Sequence, residues 1–253
     1  MLKPRIIPCL LLADDGLVKT IKFKAPRYVG DPVNVINIFN QLEADEIVLL
    51  DIMATRQGRK PPFEMIERIA SECTAPLAYG GALTALDDLR RIFYIGVEKV
   101  VINTQAAADP RFVERASAAF GAQSIIASID VKRGLLGRPQ VWVRGATEPT
   151  KIDPVSYAKQ MESAGAGELF LTSVDRDGTM EGYDLDLIRS VCQAVKIPVI
   201  ACGGAGTRAH LADPIKRAGA SAAAAGSLFV YQGQVRGVLI NFPSQKQIRE
   251  ILR

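Results

Sequence analysis

Two matched sets of residues in this chain have types and spacing that could do chemistry. Gly80-Gly81 and Gly203-Gly204-Ala205-Gly206 are glycine-rich turns that each follow a short apolar run, while Asn103-Thr104 and Gly226-Ser227 end two further runs. Glycine at such places lets backbone N–H groups approach an anion closely, with a helix N-terminus behind them. Each set therefore reads as a phosphate-sized cradle, one from Gly81, Asn103 and Thr104 and one from Gly204, Gly226 and Ser227. Glycine pairs also serve simply as tight turns, and it is the duplication that favours phosphate. Beside the second set lies Asp175-Arg176-Asp177-Gly178-Thr179, where an Asx turn and ligand contacts from Asp177 and Gly178 can coexist. The stretch from Gly16 to Pro32 carries Lys19, Lys22, Lys24 and Arg27. It reads either as a solvated basic loop or as a lid that folds over phosphates, with Lys19 as a phosphate ligand.

The elements that must position these residues alternate along the whole chain. Strand-like runs fall at Arg5–Leu11, Glu46–Leu50, Pro76–Tyr79, Lys99–Ile102, Ser124–Ile129, Glu168–Thr172, Pro198–Cys202 and Ser221–Ala225. Between them, apolar residues at three- and four-residue spacing predict helices over Pro32–Leu42, Phe63–Ser71, Ala85–Ile95, Pro110–Ala118, Pro154–Ala164, Leu185–Val195 and His210–Ala218. Strand and helix repeated about eight times predict an α/β protein, a single (βα)8 TIM barrel whose functional residues sit at the C-terminal ends of the strands.

The chain also repeats itself. Glu46-Ile-Val-Leu-Leu returns as Glu168-Leu-Phe-Leu-Thr, and Pro76-Leu-Ala-Tyr-Gly-Gly as Pro198-Val-Ile-Ala-Cys-Gly-Gly with one insertion. Gly96-Val-Glu-Lys-Val matches Gly219-Ala-Ser-Ala-Ala, and Ile7-Pro-Cys-Leu-Leu matches Ile126-Ala-Ser-Ile-Asp. Matches kept in order imply one domain made of two half-barrels, about 1–122 and 123–253. Two cradles on opposite sides of one barrel mouth suit an elongated ligand with a phosphate at each end.

Composition narrows the classes. At 253 residues, 48% hydrophobic and 23% charged, the chain suits one soluble domain. It has no apolar run long enough to span a bilayer and no secretory leader, which points to the cytoplasm. Cys9, Cys73, Cys192 and Cys202 are widely spaced, and His210 is the single histidine, so neither a metal site nor a disulfide framework is expected. A net charge of +4 fits a phosphorylated substrate but is too weak and dispersed for nucleic acid.

The strings Arg5-Ile-Ile-Pro-Cys-Leu, Gly30-Asp-Pro, Asp45-Glu-Ile-Val-Leu-Leu-Asp51, Lys99-Val-Val-Ile-Asn-Thr104, Asp130-Val-Lys132, Leu171-Thr-Ser-Val-Asp-Arg-Asp-Gly-Thr179 and Gly203-Gly-Ala-Gly206 resemble the cyclase subunit of imidazole glycerol phosphate synthase, over essentially the whole chain. That resemblance implies a glutaminase subunit as partner, no cofactor, and ammonia entering the barrel bottom to meet a bisphosphorylated ribulosyl substrate at the top. It further implies that Arg5, Glu46, Lys99 and Glu168 form a charged ammonia gate, which could instead be a structural ion-pair layer. Asp130 matches one of the family's two catalytic aspartates. Leu11 stands where the other belongs, and Ala82 replaces a third glycine in the first cradle. Asp14 and Asp15 lie three and four residues beyond Leu11 as substitutes. Losing one acid/base group typically costs roughly 10²–10⁴-fold. The Leu10-Leu11-Leu12 start and the Gly16-Leu-Val-Lys-Thr segment resemble a branch that serves acetamidino-group formation in surface-polysaccharide or flagellar-glycan biosynthesis, with a third protein carrying the sugar-modifying amidotransferase step. The alternatives are a true cyclase of histidine biosynthesis and a non-catalytic barrel that activates its glutaminase.

Overall fold

Eight runs of aliphatic residues become eight parallel strands in the computed structural model, which describes residues 3–134, 137–233 and 235–252. They are β1 (Arg5–Ala13), β2 (Ile47–Asp51), β3 (Leu77–Gly80), β4 (Lys99–Ile102), β5 (Ile125–Arg133), β6 (Glu168–Ser173), β7 (Val199–Cys202) and β8 (Ala222–Ala225). Each pairs with the next, β8 pairs with β1, and the circle closes with no free edge: a TIM barrel. β8 is four alanines, a poor strand former on propensity, and it is held by parallel pairing to β1 and β7 on its two sides.

Side chains alternate between two apolar layers, as the period of two requires. Those pointing out, such as Ile6, Leu10, Leu49, Tyr79 and Ile129, pack under the helices. Those pointing in, among them Ile7, Val48, Val101, Ile126, Phe170 and Ile200, fill the barrel axis. Three helices begin with the pair Asp-Pro: Pro32–Gln41, Pro110–Phe120 and Pro154–Ser163. In each the preceding aspartate accepts a backbone N–H of the first turn, while proline occupies the position where its missing N–H is no loss.

Several observed elements depart from the sequence reading. The expected helix over His210–Ala218 is a 3₁₀ turn, Ala209–Leu211, followed by a helix over Asp213–Ala218 that begins next to Pro214. The helix from Leu185 ends at Cys192 rather than Val195. A helix over Gln245–Leu252 completes the outer ring. Most important for the site, β1 and β5 are nine residues long and overshoot the barrel into antiparallel hairpins, β1 with Gly16–Ile21 and Lys24–Gly30, β5 with Pro139–Val143 and Glu148–Pro149. No helix among the described residues is long and apolar enough to cross a membrane.

Candidate active site

At the N-terminal end of the barrel the inward positions at the starts of β1, β2, β4 and β6 carry Arg5, Glu46, Lys99 and Glu168, and these four meet. The Arg5 guanidinium bonds both glutamates. Lys99 Nζ lies 2.8 Å from Glu46 Oε1 and 3.4 Å from Glu168 Oε2. Each carboxylate thus touches both cations, in a ring with no net charge. The glutamates are buried, whereas the Arg5 and Lys99 side chains remain 22% and 21% exposed. Burial works against the Arg5 charge, but hydrogen bonds and attraction from Glu168 and Glu46 outweigh it and raise its pKa. Directly above the ring the lining turns apolar at Ile7, Val48, Ala78 and Ile126.

At the opposite mouth, Asp130 on β5 and Leu11 on β1 both point inward over a cavity of about 450 Å³. Their positions are fixed by the hairpins, since Asp130 is paired with Trp142 and Leu11 with Val18. Asp130 is buried and accepts a hydrogen bond from Asn103 Nδ2 at 3.3 Å. Burial, then the negative charge of Asp177, pushes its pKa up to about 7, so at neutral pH it both holds and releases a proton. Leu11 and Leu50 form an aliphatic wall in the same cavity. Asp14 and Asp15 do not stand in for the missing carboxylate. They occupy the exposed turn of the hairpin, where Asp14 Oδ1 accepts from Gln57.

The second cradle assembles as one recess, lined by Lys19, Asp177, Gly178, Gly204, Gly226 and Ser227. Lys19 is 6% exposed, its ammonium donates to the Cys9 carbonyl, and it pairs with no carboxylate among the described residues. A buried cation left in that state favours an incoming anion. Glycine is required at Gly204, where at φ 112° a Cβ would collide with the Gly182 carbonyl, while at Gly226 its absence leaves room for Lys19 Nζ, which a Cβ would displace. Asp177 seals the recess to the first hairpin, accepting from Thr20 Oγ1 at 3.0 Å through its side chain and from the Lys22 N–H at 2.9 Å through its carbonyl. Burial raises the Asp177 pKa, and the charge of Lys19 and the Thr20 hydroxyl oppose the rise. His210 supports this side from behind, its Nδ1 accepting the Gly206 N–H at 3.2 Å.

Two expectations need correction and a third is narrowed. The helices that begin at the cradles are short, five residues after Asn103 and four after Gly226, and at the second cradle the full charge of Lys19 adds to them. Of the basic residues in the first hairpin, only Lys19 faces the recess; Lys22, Lys24 and Arg27 are exposed. The first cradle's wall is made by Gly80 and Ala82 with Asn103 and Thr104, whereas Gly81 is pressed against Asp51 Cβ and Tyr79 Oη, which a Cβ there would meet at 2.7 and 2.9 Å. Sequence reasoning also passed over Leu50, Ser128 and Thr172, which line the large cavity. Counting by two from Val48, Asp130 and Phe170 would have found all three.

A model of the histidine biosynthesis protein family matches residues 5–236. The chain belongs to this family. Within it, a Pseudomonas aeruginosa protein provisionally named imidazole glycerol phosphate synthase subunit hisF2 is 48% identical, over 98% of this chain and 99% of the relative. A Leptospira borgpetersenii protein provisionally named subunit HisF is 44% identical over 96% of each chain. A Vibrio vulnificus protein provisionally named subunit hisF3 is 43% identical over 100% of this chain and 97% of its own. The histidine biosynthesis family member described here is accordingly a HisF-like synthase subunit.

Proposed function

We propose that this HisF-like subunit receives ammonia from a glutaminase docked on the Arg5–Lys99 face and serves amidine formation in surface-polysaccharide or flagellar-glycan biosynthesis, with a third protein carrying the sugar-modifying step. One contrast carries the reading. The end of the barrel that would admit ammonia keeps a complete four-membered charge ring, while the reacting end has Leu11 facing the cavity across from Asp130. Binding phosphate at the far mouth gives no reason for charges at this one, and buried ion pairs are at best weakly stabilising. The partly exposed Lys99 offers an entry that opens when its two contacts break, and the apolar layer above passes neutral NH3 far more easily than NH4⁺. The subunit names of the relatives accord with a companion subunit.

In this reading Asp130 is the remaining acid/base group, suited to the task by a pKa near neutrality. Lys19, Asp177, Gly178, Gly204, Gly226 and Ser227 hold a phosphate. Leucine at position 11 neither takes nor gives a proton, so ring closure of the family's imidazole product is the step most impaired. The rival, a working cyclase of histidine biosynthesis, draws on the poised Asp130 and the intact second cradle. Turnover of the bisphosphorylated ribulosyl substrate with free ammonia separates them. The proposal expects a rate roughly 10²–10⁴-fold below that of a two-aspartate family member, and a rate within about tenfold of that member overturns it.

A further inference from the structure

Four cations line the large cavity, Arg56, Arg59, Lys60 and Arg144, and three of them are paired with a carboxylate. Arg59 lies 2.9 Å from Asp51, Lys60 2.9 Å from Asp88, and Arg144 3.2 Å from Glu148. Arg56 is the exception. It pairs with no carboxylate among the described residues, and its Nη2 donates at 2.6 Å to the Gly145 carbonyl. A guanidinium carries five N–H donors, so one carbonyl leaves most of them to a ligand.

The second hairpin holds this charge beside the first cradle. Its turn runs through Arg144, Gly145 and Ala146, all at positive φ, 53°, 63° and 60°. That conformation is unfavourable for the two residues that carry a Cβ. Two contacts tie the turn down on the rim: the Arg144 N–H donates to Thr104 Oγ1 at 3.1 Å, and the carbonyl of the next residue receives Arg56. One step along the turn thus separates the guanidinium from Thr104, and Thr55, Arg56, Ala82, Asn103 and Thr104 all line the same cavity. Gly145 packs so closely that a Cβ there would come within 2.7 Å of Arg56 Nε and Nη2. Thr55 Oγ1 accepts the Ala82 N–H at 3.2 Å and keeps its own hydrogen to donate.

The second cradle is built on the same plan, with the Lys19 ammonium donating to the Cys9 carbonyl. Each half of the mouth therefore has one cation that a backbone carbonyl fixes and no carboxylate among the described residues neutralises. Lys19 is buried and Arg56 exposed, so salt screens the Arg56 charge more strongly.

We infer that Arg56 is the charged ligand of a phosphate in the first cradle, its planar fork pre-set by the Gly145 carbonyl to meet phosphate oxygens. This inference rests on the reading of Asn103 and Thr104 as part of a phosphate cradle, and it names the cation that reading left out.

Calorimetric titration of the whole chain tests it, with inorganic phosphate and with the bisphosphorylated ribulosyl substrate in the absence of ammonia. The expected result is two inorganic phosphates per chain. Arg56→Met weakens one of them about tenfold, the low end for a hydrogen bond to a charged group because Arg56 is exposed. It weakens the bisphosphorylated substrate by a similar factor, and Lys19→Met weakens the other phosphate. Arg56→Lys keeps the charge without the fork and restores only part of the affinity. An Arg56→Met chain that binds two phosphates and the substrate as tightly as the parent overturns the inference, while the two-cradle reading stands. Equal weakening of both phosphates also overturns it, since that is a general effect of charge. A single phosphate per chain, lost in Lys19→Met, removes the first cradle itself and the inference with it.

Discussion

Burial and the nearby charge of Asp177 act on Asp130 in the same direction, each favouring the protonated form. Its folded pKa of about 7 lies above its ordinary 3.8, so between these values the folded chain keeps a proton that the unfolded chain has released. Stability must then fall as pH rises through that window. Asp130→Asn keeps an acceptor for Asn103 and removes the charge. It should raise Tm at pH 8 by several degrees, at about 2–4 °C per kcal/mol, with the gain shrinking as pH is lowered toward 5. A gain that does not vary with pH contradicts the assignment. Leu11→Asp restores a carboxylate to the same mouth and should raise ammonia-dependent turnover of the bisphosphorylated ribulosyl substrate by roughly 10² or more. No gain would mean that the impairment lies elsewhere than in the missing acid/base group. The second cradle's six residues were legible in its glycine-rich turns and the neighbouring polar and basic stretches, and the four charges through the family resemblance. Thr20 and Thr55 were not, because their partners lie far off in sequence, Asp177 of Thr20 being 157 residues away, and nothing local announces such a bond.

The elements that matter most are the two hairpins, and they were the least legible. The segment from Gly16 to Gly30 has apolar residues at irregular spacing, a bulged register and a turn in which Lys22 and Phe23 both adopt positive φ without glycine. Turn signals built on glycine or Asn-Gly therefore miss it. Strand boundaries failed for the same reason, since β1 and β5 continue past the barrel only because a hairpin partner is there to pair with. Barrel strands and Asp-Pro helix starts were legible because period and capping are local properties. The bonds from Thr20 and Lys22 to Asp177 tie the first hairpin down over the recess. Thr20→Val keeps the shape and removes the hydroxyl, at about 0.5–1.5 kcal/mol. It should speed hydrogen exchange and proteolysis within residues 16–30 while leaving the rest of the barrel unchanged. Unaltered exchange there would show that the Lys22 N–H bond to the Asp177 carbonyl suffices.

Across the whole molecule the barrel separates two chemistries by its length: a neutral ring of charges at one end, an apolar middle, and a recess around the buried Lys19 ammonium with one poised carboxyl at the other. Arg5 is the ring's keystone, bonded to both glutamates, so Arg5→Met leaves two buried carboxylates to Lys99 alone. Breaking a buried pair this way typically costs about 3–5 kcal/mol, to be read as a fall in the urea midpoint at constant slope. Lys99→Ala leaves each glutamate its Arg5 contact and should cost less. If both substitutions prove equally mild, the ring contributes little to the fold, and a role in passage gains weight.

Receipt of ammonia from a docked enzyme is the claim on which the rest depends, and glutamine hydrolysis reads it most directly. The purified barrel is titrated, up to micromolar concentration, into the glutaminase from its own genome while glutamate release is followed. The account predicts a saturable rise in hydrolysis rate as a stable complex forms on the face bearing Arg5 and Lys99, reduced when Lys99 is alanine. A flat rate with no complex at micromolar concentration contradicts it, and the four charges would then be a structural layer and nothing more.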